Sequence, residues 1–330
     1  MDEKIRIAGG GDMIEFLLES KKAGKIWDLS KNAQSISWDT NRTGSPGKLT
    51  TTLTQIESIT VNNGDILRLS EDGKLQFYGY IFTISRNRWG EVDITAYDRL
   101  RYLKANASYA FYNMSPEAII SQIAGDLQVP VSTLDPTGYI LPSLVESDQS
   151  CLDMISDVVQ KALLGTGKVY VFFDDGNGLS LREAGNMITD VMLGDKSLVT
   201  EYTATEDIDS QTYNSIKLAR PNEETGKAEV VIVQDSQNIG QWGLLQLYQT
   251  VDSALNTAQM TAQAQASLEY YNRELKSLKI SALGVPSLRA GQMILANIER
   301  INLKQYLLLD KVSHTWESDI HTMEIEAILI

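Results

Sequence analysis

"GDILRLSEDGKLQFYGYIFTISRNRWGEVDITAYD", residues 64 to 98, decides how the fold is read. Apolar and polar residues alternate along three short runs, which are separated at Asp72-Gly73 and near Trp89-Gly90. Alternation with period two places side chains on opposite faces of an extended chain, and Asp-Gly is a hairpin signal because such turns need positive φ. The stretch therefore predicts three antiparallel strands. Upstream the pattern continues through "MIEFLLES" (13–20), "IWDLS" (26–30), "QSISWD" (34–39) and, after the break "TGSPG", "GKLTTTLTQI" (47–56). So many turn-punctuated strands between residues 14 and 106 predict a small barrel or sandwich.

Downstream of this unit the period changes. "SPEAIISQIAGDL" (115–127) has Ser115 as N-cap, Pro116 in the first turn and Glu117 beside it, with Ile119, Ile120, Ile123 and Leu127 on one side. A second helix is expected over about 148–164, burying Leu152, Ile155, Val159 and Leu163 and stopping at Gly165. Strands resume in "KVYVFFDDGNGLSLRE" (168–183), with a tight turn at Asp175-Gly176-Asn177-Gly178, and in "YNSIKLAR" (213–220) and "AEVVIVQD" (228–235). Met260, Ala264, Leu268, Tyr271, Leu275 and Leu278 then mark a long helix over about 252–278, roughly 35 to 40 Å in length. The chain ends in strands again: 277–284, 291–298, 306–316 and 320–330. The expected class is α+β and β-rich.

Composition narrows the function. With 330 residues, 43% of them hydrophobic, the chain is long enough for two or more cored domains. Its 29 Lys and Arg stand against 43 Asp and Glu, and a net charge of −14 repels phosphate backbones, so no specific nucleic-acid binding is expected. Cys151 is the single cysteine, which excludes an intramolecular disulfide and fits a reducing compartment. No stretch approaches eighteen consecutive apolar residues and "MDEKIRIAGGGDMIEF" lacks the order of a signal peptide, so neither membrane insertion nor secretion by that route is expected.

Chemistry has few candidates. His314 and His321, the only histidines, sit among Asp310, Glu317, Asp319 and Glu324. A zinc site takes three or four ligands at a recognisable spacing, whereas here the gap is seven and no third histidine exists. The residues read instead as a β-hairpin, one histidine on each strand, near each other at a sheet edge. Cys151 falls in an amphipathic helical pattern and reads as a small core hydrophobe rather than a nucleophile. No Gly-x-Ser-x-Gly elbow is present. "LLGTGKVYV" (163–171) lacks the first phosphate-loop glycine and has Val169 after Lys168, and "DDGNG" with Glu183 lacks calcium-loop spacing. The stripe of the 252–278 helix fits a core-facing role better than a coiled-coil seam. No catalytic, cofactor-binding or metal-binding residue is assigned, and the chain reads as an assembly component, not an enzyme.

The order of "GDILRLSEDGKLQFYGYIFTISR", "ITAYDRLRYLKAN", "SPEAIISQIAGDLQVPV", "TGKVYVFFDDGNGLSLRE", "YNSIKLAR", "QWGLLQLYQTV", "LRAGQMILANI" and "LLLDKVSHTWESDIHTMEIEA" resembles the contractile-tail hub proteins of Gram-positive prophages. The PBSX-like prophage hub is the nearest type, with distant similarity to late-control D-type proteins and the hub of large myophages. The resemblance runs from about residue 25 to the end. It implies two tail-tube-type β-barrels in one chain with an inserted helical subdomain: residues 1–106 as the first barrel, 107–166 as a helical insertion, and 167–330 as the second barrel, built from strands in 167–235 and 275–330 with the long helix between. Gly64-Asp65 and Gly291-Gln292 then become rough counterparts. It further implies a homotrimer that connects the sixfold tail tube to the threefold spike. The implied partners are the tail tube protein, the tape-measure protein, a LysM-containing tail protein, and spike and baseplate wedge proteins. The location would be a virion or tail-like particle assembled in the bacterial host cytoplasm. A tail-associated peptidoglycan hydrolase and a single-ring tube or distal-tail protein are the alternatives; the first lacks a catalytic motif, and the second would have one barrel per chain.

Overall fold

The computed structural model describes residues 14–54, 56, 59–222, 227–253, 255–317 and 320–329. The first part of the chain is all strand: β1 (Ile14–Ser20), β2 (Lys25–Asp28), β3 (Ala33–Asn41), β4 (Lys48–Leu53), β5 (Ile66–Glu71), β6 (Lys74–Arg86) and β7 (Val92–Tyr97). A 3-10 turn over Arg99–Lys104 leads into β8 (Asn106–Met114), α1 (Pro116–Asp126), β9 (Val131–Leu134), β10 (Leu141–Ser150), α2 (Cys151–Thr166), β11 (Tyr170–Asp174) and β12 (Leu179–Glu183). Then come β13 (Ile188–Gly194), β14 (Val199–Asp207), β15 (Ser215–Asn222), β16 (Lys227–Gln234), α3 (Ser236–Trp242), β17 (Gln246–Thr250) and α4 (Thr257–Tyr271). The last four strands are β18 (Leu275–Leu283), β19 (Met293–Ile298), β20 (Leu303–Glu317) and β21 (Ile320–Leu329). Ser115 caps α1 as its sequence requires, accepting from the Ala118 N–H at 3.4 Å. Asp72 and Gly73 both take positive φ, which is what closes the β5–β6 hairpin in two residues.

One large sheet organises the chain. Its strands run β14-β18-β21-β20-β3-β4-β7-β6-β5-β1-β2, with β19 and β13 branching from β20. Two separate cores lie along it. Phe16, Leu18, Trp38, Leu49, Leu67, Phe77, Ile81 and Ile94, from β1 and β3 to β7, share one; Leu193, Ile280, Ile294, Leu307, Val312 and Ile325, from β13 and β18 to β21, share the other. The fifteen-residue β20 joins them: its first part pairs with β19 and its last seven residues, Lys311–Glu317, pair with β3.

The two halves repeat one plan. The order β3-β4-β7-β6-β5 in the first matches β14-β18-β21-β20-β19 in the second. The match extends to single bonds. Gly64 N–H donates to Ile81 O and Ile81 N–H to Asp65 O, while Gly291 N–H donates to Leu309 O and Leu309 N–H to Gln292 O. Both glycines hold φ near +85°, at 84° and 89°, a conformation that disfavours a β-carbon. Register shifts also coincide, at Ile81/Thr83 and Leu309/Lys311 in one strand pair and at Ala33/Ser35 and Val199/Glu201 in another.

Between the halves sit two smaller units. α1 and α2 pack with β8, β10, β11 and β12 around Phe111, Ile120, Ile155, Tyr170 and Leu181. β16-β15-β17 form a three-stranded sheet whose Ile216 and Leu218 pack on Met260 and Ala264 of α4.

Several expectations differ from this arrangement. The helix expected over 252–278 is α4 alone, fifteen residues and about 22 Å long. Asn256 opens it with a capping box and Asn272 ends it, and Leu275 and Leu278 belong to β18, where pairing with β14 and β21 overrides the helical spacing. The second helix runs 151–166 rather than 148–164. It stops at Gly167, which takes φ 71°, while Gly165 lies within the helix, where the Tyr139 ring packs in the space that a β-carbon would take. The segment 107–166 is not purely helical, since it contains β8, β9 and β10, and β12 pairs back onto β9 across the expected boundary at 166/167. Of the described strands in 167–235, only β13 and β14 join the large sheet; β11-β12 and β15-β16 complete the smaller sheets. The first thirteen residues of the expected 1–106 unit and the turn at Ser318-Asp319 lie outside the described residues.

Candidate functional site

Where the units meet, charges are buried. Asp98 follows β7 and caps the 3-10 turn, accepting from Leu100 N–H at 3.0 Å, and its other oxygen accepts from Gly47 N–H at 2.7 Å. The next residue, Arg99, is clamped on Asp174 at the end of β11: Nη1 donates to both carboxylate oxygens at 2.9 and 3.1 Å, and the Arg99 backbone N–H adds a bond at 3.0 Å. Arg289, before β19, donates to the Asp174 carbonyl at 3.0 Å and covers the Phe173 ring at 4.0 Å. One knot thus ties the first half (Asp98, Arg99), the middle unit (Asp174) and the second half (Arg289). Burial, together with the nearby Asp174 carboxylate, pushes Asp98 up to about 8, although two backbone N–H groups and Arg289 favour its charged form. Burial also raises Asp174, opposed chiefly by Arg99.

A second cluster answers the question of the two histidines. His314 on β20 is fully buried, stacked between Trp38 of β3 at 5.1 Å and Trp316 at 5.4 Å. Its Nε2 lies 2.6 Å from Leu288 O, and a carbonyl only accepts, so Nε2 carries the hydrogen. Nδ1, 2.8 Å from His321 Nε2, is then the acceptor in the neutral ring, and His321 donates. The far nitrogen of His321 faces Glu71 Oε1 at 3.3 Å, within ion-pair reach but outside hydrogen-bond alignment. Trp316 Nε1–H donates to the same oxygen at 3.4 Å. Burial drives His314 down to about 3, so the ring is neutral at ordinary pH.

The histidines lie on paired strands, Trp316 opposite His321 and His314 opposite Met323, but not at an edge: β3 flanks β20 and β18 flanks β21. Cys151 is buried in the α1–α2 core, where burial raises its thiol. Among the described residues no group of three or more His, Cys, Asp or Glu is placed to hold a metal ion, and no helix is long and apolar enough to cross a membrane. A cavity of about 30 Å³ beside Leu152, Val159 and Tyr170 admits roughly one water. A smaller cavity of about 10 Å³ lies against the charge knot, lined by Asp98, Asp174 and Arg289, and both clusters fasten elements distant in sequence to one another. Sequence reasoning missed Asp98, Arg99, Asp174 and Arg289. For Asp98, Arg99 and Asp174 the signal was a charge set directly against a strand pattern, in "TAYDRL" and "VFFDD"; Arg289, in "SLRAGQ", carried none.

A family described as YQBQ-like matches residues 36–328. The "Uncharacterized protein YqbQ" of Bacillus subtilis (strain 168) is 32% identical over 276 residues, 81% of this chain and 82% of that protein. The phage-like element PBSX protein XkdQ of the same organism is 26% identical over 303 residues, 90% of this chain and 92% of that one. The 43 kDa tail protein of prophage MuSo2 from Shewanella oneidensis shares the fold at a TM-score of 0.69, covering 95% of this chain and 98% of its own, with 14% identity. The class is therefore defined by fold: the chain has the fold of the solved prophage tail protein and is similar in sequence to a protein of a phage-like element. Within that class, the chain belongs to the YQBQ-like family.

Proposed function

We propose that this chain is the baseplate hub of a contractile tail, a non-catalytic connector between the sixfold tail tube and the threefold spike. The observation that carries the reading is the repeat of one strand order in two halves of a single sheet. Each half, with its own core, is one tube-type barrel: β1–β7 within residues 1–106, and β13, β14 and β18–β21 within 167–330. Two quasi-equivalent barrels per chain turn three chains into six similar units, and a head-to-tail contact that closes gives threefold symmetry. The homotrimer presents six barrels to the tail tube protein and three equivalent faces to the spike. Tape-measure, LysM-containing and baseplate wedge proteins are the remaining partners, and assembly takes place in the host cytoplasm. The net charge of −14 suits a conduit whose wall does not hold phosphate. Reconstruction of intact tails tests the reading: three copies on the axis are expected, with the two barrels alternating around the lumen. Six copies in the ring, or one copy away from the axis, overturns it.

A further inference from the structure

The sheet carries its own template for a contact between copies. Inside the chain, Lys311–Glu317 of β20 pair antiparallel with Ser35–Asn41 of β3, and this ladder joins the two halves. In the repeat, β20 corresponds to β6 and β3 to β14. Ile81 matches Leu309 by their shared bonds to Gly64-Asp65 and Gly291-Gln292, so Thr83 to Arg86 match Lys311 to His314. The correspondence holds at His314 too: its bond to Leu288 O is repeated by Arg86, whose Nη2 donates to Val61 O at 3.1 Å, each acceptor lying three residues before the matched glycine. On the other strand the coinciding register shifts match Ser35 with Glu201 and Asn41 with Asp207.

Among the described residues, both matched edges are open to a further strand. β5 pairs with β6 only as far as Tyr80, and beyond it β6 pairs with β7 alone. β14 pairs with β18 alone. Thr83, Ser85 and Arg86 are exposed, as are Glu201 and Thr203 to Glu206, and Trp89 is 71% exposed. The charges are opposite: Arg86 and Arg88 belong to one segment and Glu201, Glu206 and Asp207 to the other, where Glu206 also holds Lys276 at 2.7 Å. An open strand edge is a template for another strand, and opposite charges favour this partner over a like copy of the same edge.

We propose that β14 of one copy adds to the Thr83–Arg86 edge of β6 in the next, repeating between chains the part of the β3–β20 ladder that Lys311–His314 make within each chain. The register follows from the repeat: Thr83 opposite Asp207, Ser85 opposite Thr205 and Arg86 opposite Ala204. Arg86 then lies diagonal to Glu206 on one face. The contact is head-to-tail, and it deepens the hub reading, on which its closure at three copies rests.

Paired cysteines test it, since the native Cys151 is buried. Opposite positions in an antiparallel ladder bring β-carbons to about 4.5–5.5 Å, close enough for a disulfide or a short thiol cross-linker. Full-length chain carrying Ser85→Cys and Thr205→Cys is incorporated into tails and oxidised, with Asp39→Cys and Ser313→Cys as the intramolecular reference. Covalent trimers linked through 85 and 205 are the expected product. Hydrogen exchange on unmodified chain gives the second readout: residues 83–86 and 204–207 exchange at least about tenfold more slowly in tails than in free chain. Three copies in the tail with neither the 85–205 link nor this protection overturns the junction and leaves the hub reading standing. An 85–205 link in open chains longer than three supports the junction and overturns the closed trimer.

Discussion

His314 makes a quantitative demand on acid stability. Burial holds its ring down to about 3, against an ordinary value of 6.5. A histidine that is depressed in the folded state binds its proton more readily when unfolded. Its contribution is therefore complete above pH 6.5 and is lost as pH falls toward 3. The difference of about 3.5 units is worth on the order of 5 kcal/mol, and the slope is about 1.4 kcal/mol per pH unit in that window. The physical origin is specific: protonating Nδ1 turns the acceptor of the His321 bond into a second donor, in a site closed by Trp38 and Trp316. His314→Gln keeps an amide donor for Leu288 O and removes the titration. Denaturant unfolding followed by tryptophan fluorescence at pH 4.5 and 7 measures both proteins, with Trp38 and Trp316 reporting from the site itself. Wild type should lose about 2 to 3 kcal/mol more than the variant between these pH values. Equal losses would refute the assignment of a buried neutral imidazole.

The charge knot gives two more expectations. Asp98, raised to about 8 by burial, contributes stability that is complete below its ordinary carboxylate range and falls as pH rises through about 8; Asp98→Asn should flatten the decline between pH 6 and 9, and thermal unfolding across that range checks it. Arg99→Met leaves Asp174 buried without its clamp and should cost about 3–5 kcal/mol, most of it recovered in the Arg99→Met, Asp174→Asn double variant. A single-variant loss below about 1 kcal/mol in denaturant unfolding, or no recovery in the double, would count against the pair.

The local grammar of this chain is written in its sequence. Alternation and Asp72-Gly73 fix the strands of residues 64 to 98, since side-chain period and positive φ are properties of neighbouring residues. Ser115-Pro116 fixes a helix start for the same reason, and the pairing of two histidine-bearing strands follows from one short hairpin. What sequence could not settle depends on partners distant along the chain. Leu275 and Leu278 continue a helical spacing, yet β14 and β21 offer a ladder on both sides and the segment becomes strand. His321 is ordinary in sequence; it acquires Glu71 as a neighbour only because β20 pairs with β3 and closes the gap between the two halves. Asp98, Arg99, Asp174 and Arg289 read as surface charges until three units converge on them. Burying a charge is tolerated only where opposite charges and hydrogen-bond donors meet it, and that condition is set by the tertiary fold, because the groups that satisfy it lie 75 and 115 residues apart.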